Sequence, residues 1–320
     1  MAHFTPPSLL VLLLLTPLLL PGCVDQRAVA PSFARSATPE VAIKPALITT
    51  PESLLASLTT SPVAPASAIL LDARPQADFT RARLPNARSA DAQAWDKLAR
   101  STNPIEDRAA WATRLGQLGI DGSTPVIVYD AGGMTDAARV WFILQNAGAT
   151  NVTILDGGLK VLQALPGADR FIDTGPAGSV PSPANFVAQT SKAPAASPMN
   201  KGSLRKLNRS TNQVLDARTP AEFTGADARS NARAGHVPGS VNVPHTSLIG
   251  PNGRLRPAAE LRTLFTEAGL DPAKPIVTYC QSGARASLAA LAALQAGFGP
   301  VSNYYNSFGE WAADSTCPIE

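Results

Sequence analysis

The stretch Val214-Leu215-Asp216-Ala217-Arg218 repeats, at an offset of 144 residues, an earlier stretch that reads Ile69-Leu70-Leu71-Asp72-Ala73-Arg74. In each copy a short apolar run ends in the same three residues. An acidic–aromatic pair then follows, Asp78-Phe79 in the first copy and Glu222-Phe223 in the second. Self-similarity at a fixed offset is the sequence signature of a repeated architecture. The repeat therefore predicts two copies of one fold.

The repeat extends outward from these stretches in the same order. An amphipathic helix that ends near a glycine is predicted in both halves, and a buried strand follows it, residues 126–129 in the first half and 276–279 in the second. The apolar faces of the two helices are formed by Trp111, Leu115 and Leu118, and by Leu261, Leu264 and Ala268. Strands that alternate with helices predict the α/β class, with each parallel sheet covered by helices on both faces.

The length is sufficient for two domains with cores of their own, and the composition disfavours several classes of protein. The chain has 320 residues, of which 45% are hydrophobic and 16% charged, and its net charge is +3. The basic residues are scattered without an aromatic–basic stripe, so a nucleic-acid partner is not expected. Three cysteines and three histidines, with no paired spacing, make a zinc site unexpected. No metal or cofactor is predicted.

The first 23 residues have the pattern of a targeting segment. The apolar run from Leu9 to Leu20 is too short to span a bilayer as a helix and is typical of a signal peptide. It ends in Leu20-Pro21-Gly22-Cys23, which resembles a bacterial lipoprotein signal. We expect export to the periplasm or cell envelope. Two alternatives stay open: lipidation of Cys23, which would anchor the chain to a membrane, or ordinary cleavage near Gly22.

Composition divides the rest of the chain. Residues 24–47 are rich in Ala, Pro, Ser and Thr and are predicted to form a flexible tether. A second such stretch, residues 174–202, is predicted to link a first domain at 48–173 to a second domain at 203–320. A monomer is expected, because the duplicated chain already contains a pseudo-dimer.

One strand–loop–helix segment, from Ile276 to Ser287, predicts chemistry. The strand ends in Cys280, a tight loop with Gly283 follows, and an Ala/Leu-rich helix begins near Arg285. Such a turn directs free backbone N–H groups and the positive end of the helix dipole at the sulfur. This environment favours the thiolate, which is the nucleophilic form of cysteine. A buried and inert cysteine is the alternative.

An ordered set of motifs resembles a known family. Besides the two Asp-Ala-Arg strand ends and the Tyr279-Cys280 loop, the motifs are Gly235-His236-Val237-Pro238-Gly239, Leu155-Asp156-Gly157-Gly158-Leu159 and Tyr304-Tyr305-Asn306-Ser307-Phe308-Gly309-Glu310-Trp311. Over roughly residues 50 to 313 the chain resembles the tandem-domain rhodaneses, which are thiosulfate and 3-mercaptopyruvate sulfurtransferases.

This resemblance implies a double displacement. The Cys280 thiolate would attack the outer sulfur of a donor to form a persulfide, and an acceptor such as cyanide or a thiol would remove that sulfur. In this family the second domain carries the active cysteine and the first is catalytically silent. Asp130 stands in the first half where Cys280 stands in the second, and a carboxylate cannot take up sulfur as a persulfide. The first domain is therefore expected to wall one side of the cleft.

The donor is expected to bind at the loop. The predicted substrate-binding residues are Arg229, Gln281, Ser282, Gly283, Ala284 and Arg285. Backbone N–H groups of the loop would surround an anion, and Ser282 with Arg285 would bind the sulfonate end of thiosulfate. Arg229 resembles, by position, a substrate-binding arginine of the family. Arg285 has the alternative role of pinning the loop by a salt bridge, and Ser282 that of starting the helix. His236 and His245 are expected to be structural, and Arg233 a surface charge.

The sequence favours one donor and leaves rivals open. Mercaptopyruvate-type members usually have Cys-Gly-Ser-Gly-Val in the loop and a histidine in the first-domain motif. Here Gln281 replaces that glycine and Arg83 replaces that histidine, which favours thiosulfate. A cysteine phosphatase is disfavoured, because only four residues separate Cys280 from Arg285 where a phosphate cradle needs five. A non-catalytic sulfur-carrier or binding module, and a redox protein that pairs Cys280 with Cys317, remain as alternatives.

Overall fold

The computed structural model describes residues 46–60, 68–100, 105, 107–175, 182–189 and 193–320. The predicted signal peptide and all but the last two residues of the predicted tether lie outside these ranges. None of the helices in the described ranges is long and apolar enough to cross a membrane.

The first domain alternates strands and helices, as the sequence predicts. Its elements are β1 (Ile48–Thr49), α1 (Pro51–Thr60), β2 (Ile69–Asp72), α2 (Gln76–Arg81), β3 (Arg88–Ser89), α3 (Ala92–Arg100), α4 (Arg108–Gln117), β4 (Val126–Tyr129), α5 (Thr135–Ala147), β5 (Val152–Leu155) and α6 (Gly158–Gln163), followed by a 3-10 turn at Asp169–Phe171. The strands form a parallel sheet in the order β1-β5-β4-β2-β3.

The second domain has the same topology. Its elements are β6 (Ser197–Pro198), α7 (Lys201–Arg205), β7 (Gln213–Asp216), α8 (Pro220–Phe223), β8 (Ser240–Asn242), a 3-10 turn at His245–Leu248, α9 (Ala258–Glu267), β9 (Ile276–Tyr279), α10 (Ala284–Gln295), β10 (Val301–Asn303) and α11 (Ser307–Ala313). The parallel strand order is β6-β10-β9-β7-β8, so each strand takes the place of its counterpart in the first sheet. The predicted α/β fold with two parallel sheets is confirmed.

Helices cover both faces of each sheet. Successive residues of β2 illustrate this, because Ile69 and Leu71 enter one apolar core whereas Leu70 enters another on the opposite face. The first of these cores contains buried residues from both domains, including α5 and α10, which pack against each other. Every residue of α10 from Ala286 to Ala293 is buried. Its alanines favour the helix and allow close packing.

The two predicted amphipathic helices, α4 and α9, lie on the shared core. Trp111 and Leu115 of α4 are buried, as is Leu261 of α9, while Leu118, Leu264 and Ala268 are partly buried against the same core. Phe265 is also buried on α9. Gly119 and Gly269 follow the two helices with positive φ angles, as expected of glycines at helix ends.

The segment predicted as a linker differs from that prediction at two places. Ser197–Pro198 forms the edge strand β6, and the Met199 N–H donates to the Asn303 carbonyl at 2.9 Å. Upstream, Ala184 and Val187 donate backbone hydrogen bonds to Gly116 and Asp121 of the first domain, each at 2.9 Å. A two-residue edge strand has no periodicity, and extended chain that binds through its backbone leaves no side-chain pattern. Composition alone could not distinguish either from a free linker.

Candidate active site

Cys280 lies where β9, a central strand of the second sheet, meets the loop that leads to α10. Its side chain is buried, and its Sγ atom accepts hydrogen bonds from the N–H groups of Ser282 at 3.4 Å and Gly283 at 3.1 Å. The Cys280 N–H donates to the hydroxyl of Ser307 at 3.1 Å, and that hydroxyl oxygen lies 3.8 Å from Sγ. Two backbone dipoles therefore converge on the sulfur from the loop itself.

The loop has this shape because residue 283 is glycine. Gly283 has a φ of +93°, and a Cβ atom built there would lie 2.7 Å from the Tyr305 carbonyl oxygen and 2.8 Å from its ring. Real Cβ atoms essentially never approach so closely, and a positive φ is itself costly for other residues. Gly283 thus allows the loop to pass directly against Tyr305 while its N–H faces the sulfur.

Arg285 holds the loop to α8. Its two terminal nitrogens donate to the two carboxylate oxygens of Glu222 at 2.7 and 2.9 Å. Burial raises the pKa of Glu222, but hydrogen bonds from Arg285 and Thr219 lower it more, to about 2. The guanidinium therefore makes the loop-pinning contact that the sequence left as the alternative to donor binding. Donor binding by Arg285 stays a prediction.

Gln281 and Arg229 are connected through the chain before β8. The side-chain amides of Gln281 and Asn231 hydrogen-bond to each other in both directions, at 2.7 and 3.1 Å. Arg229, two residues before Asn231, is exposed and has a φ of +52°. Among the described residues its guanidinium has no hydrogen-bond or ion-pair partner. The structure places Arg229 on a segment that contacts the loop, with its charge still available.

Sequence reasoning missed a cluster of first-domain side chains at the loop. Arg139 of α5 donates to the Ser282 carbonyl at 3.0 Å and lies 3.4 Å from the Ser282 hydroxyl oxygen. Arg100 of α3 donates to the same carbonyl and, at 3.2 Å, to that of Tyr305. Asp96 pairs with Arg139 at 2.7 Å and with Arg100 at 2.9 Å. One signal was available: Arg139 interrupts an otherwise mainly apolar, buried stretch of α5.

Asp130 occupies the corresponding position in the first domain, after β4. Its carboxylate accepts backbone N–H groups from Gly132 at 2.9 Å, Ala137 at 3.2 Å and Met134 at 3.3 Å. Burial raises the pKa of Asp130, and these three hydrogen bonds partly offset that shift. The first-domain loop thus surrounds an acceptor with N–H groups, as the second-domain loop does, but the acceptor is a carboxylate.

His236 and His245, the histidines among the described residues, make no hydrogen bond to Cys280. His236 stacks on Phe223 with the ring centroids 3.7 Å apart, and its Nδ1 atom lies 2.9 Å from the Phe223 carbonyl oxygen. His245 is partly buried beside the loop, and burial followed by the charge of Arg285 lowers its pKa. Its Nδ1 atom has no hydrogen-bond partner among the described residues.

Arg233 is not the surface charge that the sequence predicted. It is partly buried and donates to the carbonyls of Trp311 and Ala312 at 3.0 Å, of Cys317 at 2.8 Å, and of Asp314. Carbonyls at the end of a helix lack partners within the helix, and Arg233 satisfies those at the end of α11. Sequence spacing could not reveal this contact, because the partners lie about 80 residues further along the chain.

Cys317, the other cysteine among the described residues, lies away from the loop. Cys280 and Cys317 are both free and buried. Cys280 belongs to the core shared by the two domains, whereas Cys317 belongs to the core on the other face of the second sheet. The described ranges contain no group of three or more His, Cys, Asp or Glu side chains that could hold a metal ion.

Comparison with known proteins shows which family has this duplicated architecture. The profile of the rhodanese-like domain matches twice, at residues 50–165 and 200–314. The chain belongs to the rhodanese family. The Cys280 loop lies in the second rhodanese-like domain and Asp130 in the first.

Relatives of this rhodanese are sulfurtransferases. Human 3-mercaptopyruvate sulfurtransferase is 33% identical over 241 residues, which cover 73% of this chain and 78% of the human protein. A mitochondrial thiosulfate/3-mercaptopyruvate sulfurtransferase from Arabidopsis thaliana is 32% identical over 235 residues, 68% of this chain and 61% of the plant protein. The crystal structure of an Escherichia coli 3-mercaptopyruvate sulfotransferase superposes with a TM-score of 0.64 and 27% identity, covering 82% of this chain and 99% of that one. The predicted sulfurtransferase class is confirmed.

Proposed function

We propose that this rhodanese transfers the outer sulfur of thiosulfate to cyanide or another thiophilic acceptor through a persulfide on Cys280. The observation that carries the proposal is the convergence of the Ser282 and Gly283 N–H groups on a buried cysteine sulfur. Such groups stabilise negative charge on the sulfur before and after transfer. The equivalent position in the other domain is Asp130, which leaves Cys280 as the sulfur acceptor.

Sulfur transfer takes place in two displacement steps. The Cys280 thiolate attacks the outer sulfur of thiosulfate, a new S–S bond forms, and sulfite leaves with the electron pair of the broken S–S bond. Cyanide then attacks the outer sulfur of the persulfide, thiocyanate departs, and the thiolate is restored. The N–H groups at the loop hold the anionic sulfur in both steps. The exposed guanidinium of Arg229 and the Ser282 hydroxyl are proposed to bind the sulfonate end of the donor.

A second donor, 3-mercaptopyruvate, is favoured by the names of the relatives. One feature argues against it. Arg83, which stands where mercaptopyruvate-type members have a histidine, is buried and donates to the carbonyls of Phe79 at 3.4 Å and Gly175 at 2.6 Å. Phe79 lies in the first domain and Gly175 just after it. An arginine at this position cannot act as the histidine of a proton relay, because its guanidinium stays charged. This replacement breaks any relay that would run from Ser282 through a histidine here, and thiosulfate remains the proposed donor.

Intact-mass spectrometry of residues 24–320, which leave out Cys23, tests the proposal. Excess thiosulfate is expected to add one sulfur to Cys280, and cyanide to remove it as thiocyanate over many turnovers. Cys280→Ala should fold and transfer nothing. If Cys280 takes up sulfur faster from 3-mercaptopyruvate than from thiosulfate, 3-mercaptopyruvate is the preferred donor. A folded protein that takes up one sulfur and then stops would instead be a carrier. No uptake from either donor would refute the proposal.

We also propose that residues 1–23 direct export to the periplasm or cell envelope and that the exported protein is a monomer. The apolar run and the Leu-Pro-Gly-Cys sequence support export. Mass spectrometry of the mature amino terminus shows whether Cys23 is lipidated or the chain is only cleaved near Gly22. Membrane fractionation checks the result, because a lipidated chain fractionates with membranes and a cleaved chain does not. An unprocessed chain retained in the cytoplasm would refute export. Light scattering measures the oligomeric state.

A further inference from the structure

The peptide between Ser282 and Gly283 is held at both ends. Its N–H, on Gly283, donates to the Cys280 sulfur at 3.1 Å. Its carbonyl, on Ser282, accepts from Arg139 at 3.0 Å and from Arg100. In a planar trans peptide the C=O and N–H bonds point in opposite directions. Whatever holds the carbonyl therefore determines where the N–H points.

Both guanidinium groups come from the first domain and are themselves fixed. Asp96 binds Arg139 and Arg100 with the same carboxylate, and it accepts the Tyr305 hydroxyl at 2.8 Å. The Tyr305 ring lies beneath both arginines, 5.1 Å from the Arg100 guanidinium carbon and 5.9 Å from that of Arg139. The Arg139 side chain is only 5% exposed. Arg139 is thus a rigid contact rather than a mobile surface charge.

We propose that Arg139, assisted by Arg100, is a positioning residue through which the first domain directs the Gly283 N–H at the Cys280 sulfur. The silent domain then acts on sulfur transfer directly, by holding the far end of one peptide of the catalytic loop. This inference rests on the proposed role of Cys280 as the sulfur carrier. It gives the first domain a part in the rate of persulfide formation as well as in the shape of the cleft.

Other charged groups also face this region. Arg139 is faced by Asp96, Asp136, Tyr305 and Cys280. Arg285 is faced by Glu222, Asp216, Cys280 and His245. Loss of Arg139 therefore removes a charge as well as a contact. A lysine separates the two effects, because it keeps the charge but has one nitrogen and cannot bind Asp96 and the Ser282 carbonyl with a planar fork.

The test compares Arg139→Lys and Arg139→Met with wild type in two measurements. The first is the rate of persulfide formation from thiosulfate in a single turnover. The second is the pH at which the Cys280 thiolate forms, followed by its ultraviolet absorbance after subtraction of a Cys280→Ser background. We expect both variants to form the persulfide about tenfold more slowly, the effect of roughly one hydrogen bond. We also expect a lower kcat with little change in KM, and thiolate formation at higher pH.

Arg254→Met is the matched control. Arg254 pairs with Glu52 across the same two domains but makes no hydrogen bond to the loop, so its loss should leave both measurements unchanged. Wild-type behaviour of Arg139→Lys would overturn the proposal in favour of charge alone. If Arg254→Met changes both measurements as much as the Arg139 variants do, the cause is a weaker contact between the two domains, and the proposal is also overturned. If the Arg139 variants do not fold, Arg100→Met replaces them, because that side chain is 28% exposed and binds the same carbonyl.

The two proposals can fail separately. If wild type forms no persulfide with either donor while the thiolate still titrates at higher pH in the Arg139 variants, the proposed function fails and the positioning role stands. If wild type transfers sulfur and the variants match it in both measurements, the positioning role alone fails.

Discussion

At the scale of single residues, the Asp-Ala-Arg repeat proves to be a buried structural contact. Asp216 and Arg218 form an ion pair at 2.6 Å, and both side chains are essentially inaccessible to solvent. Arg218 also donates to the Gly235 carbonyl at 2.8 Å and lies 4.0 Å from the centre of the Phe308 ring. The pair therefore joins the end of β7 to the segment before β8 and to α11. The motif that reveals the duplication therefore forms a buried contact that holds these elements together.

Arg218→Met should strongly destabilise the protein, because it leaves the Asp216 carboxylate buried without its partner. The expected loss in the free energy of unfolding is about 3–5 kcal/mol, measured by urea denaturation. Arg81→Met is the control. Arg81 pairs with Asp78 on the surface with 76% of its side chain exposed, and its loss should cost no more than about 1 kcal/mol. Equal costs for the two variants would contradict this account of the motif.

The Glu222–Arg285 pair should make the free energy of unfolding depend on pH in the acidic range. The pKa of Glu222 is lowered from 4.5 to about 2 in the folded protein. Because the pKa is lower in the folded protein, the ionised Glu222 contributes to the free energy of unfolding. This contribution is fully present above about pH 4.5 and is lost as the pH falls through about 2. Thermal unfolding of wild type across this window should therefore show a steeper loss of stability toward low pH than that of Glu222→Gln. Parallel curves would show that the pair contributes no such dependence.

At the scale of elements, the two loops that follow the central strands β4 and β9 differ in what surrounds them. Gly133 and Gly283 each lie three positions after the key residue, with φ angles of +95° and +93°. A Cβ atom at Gly133 would meet nothing within 4 Å, whereas one at Gly283 would collide with Tyr305. The φ angle is shared at this one position, but the neighbouring residues differ, because Gly132 and Met134 also have positive φ angles whereas Ser282 and Ala284 do not. Of the two glycines, only Gly283 is packed tightly against a neighbouring residue.

This pair of glycines provides a matched experiment. Both Gly133→Ala and Gly283→Ala incur the strain of a positive φ, roughly 1–2 kcal/mol. Gly283→Ala must also displace Tyr305 or the loop, so we expect about 2 kcal/mol of further destabilisation and a large loss of sulfur transfer. Gly133→Ala should retain normal transfer. Thermal unfolding and a turnover assay measure both effects, and full activity in Gly283→Ala would show that the loop tolerates the shift.

At the scale of the whole molecule, the two rhodanese-like domains share one core. Buried residues of α5 and α10 belong to the same apolar cluster, and the two helices pack against each other. First-domain arginines also bind the second-domain loop. Neither domain can lose its structure without exposing apolar surface or unpairing buried charges of the other.

The described domains should therefore unfold together. Scanning calorimetry of residues 24–320 is expected to show one transition, with equal calorimetric and van't Hoff enthalpies. Arg74→Met, in the first domain, should lower the midpoint of that single transition, because the pair it breaks with Asp72 is buried. Two resolved transitions, with only one displaced in Arg74→Met, would show that the domains are energetically independent.

The sequence by itself determined the duplication, the α/β class, the rhodanese resemblance and the position of Cys280 at the end of a strand. These features are read from local patterns: hydrophobic periodicity, glycines at turns, and motifs whose residues are near neighbours in the chain. Loop geometry at Cys280 is local in the same sense, since the N–H groups that face its sulfur come from the next three residues.

Only the tertiary structure decided which side chains pair around that loop. Arg139 lies 143 residues from Ser282, and Glu222 lies 63 residues from Arg285. The partner of a charged side chain depends on how helices pack, and no spacing along the chain encodes it. For the same reason the sequence could not show that Arg233 binds the end of α11, or that residues of the predicted linker pair with both domains. Local chemistry placed the nucleophile, and long-range packing placed the groups that hold its loop.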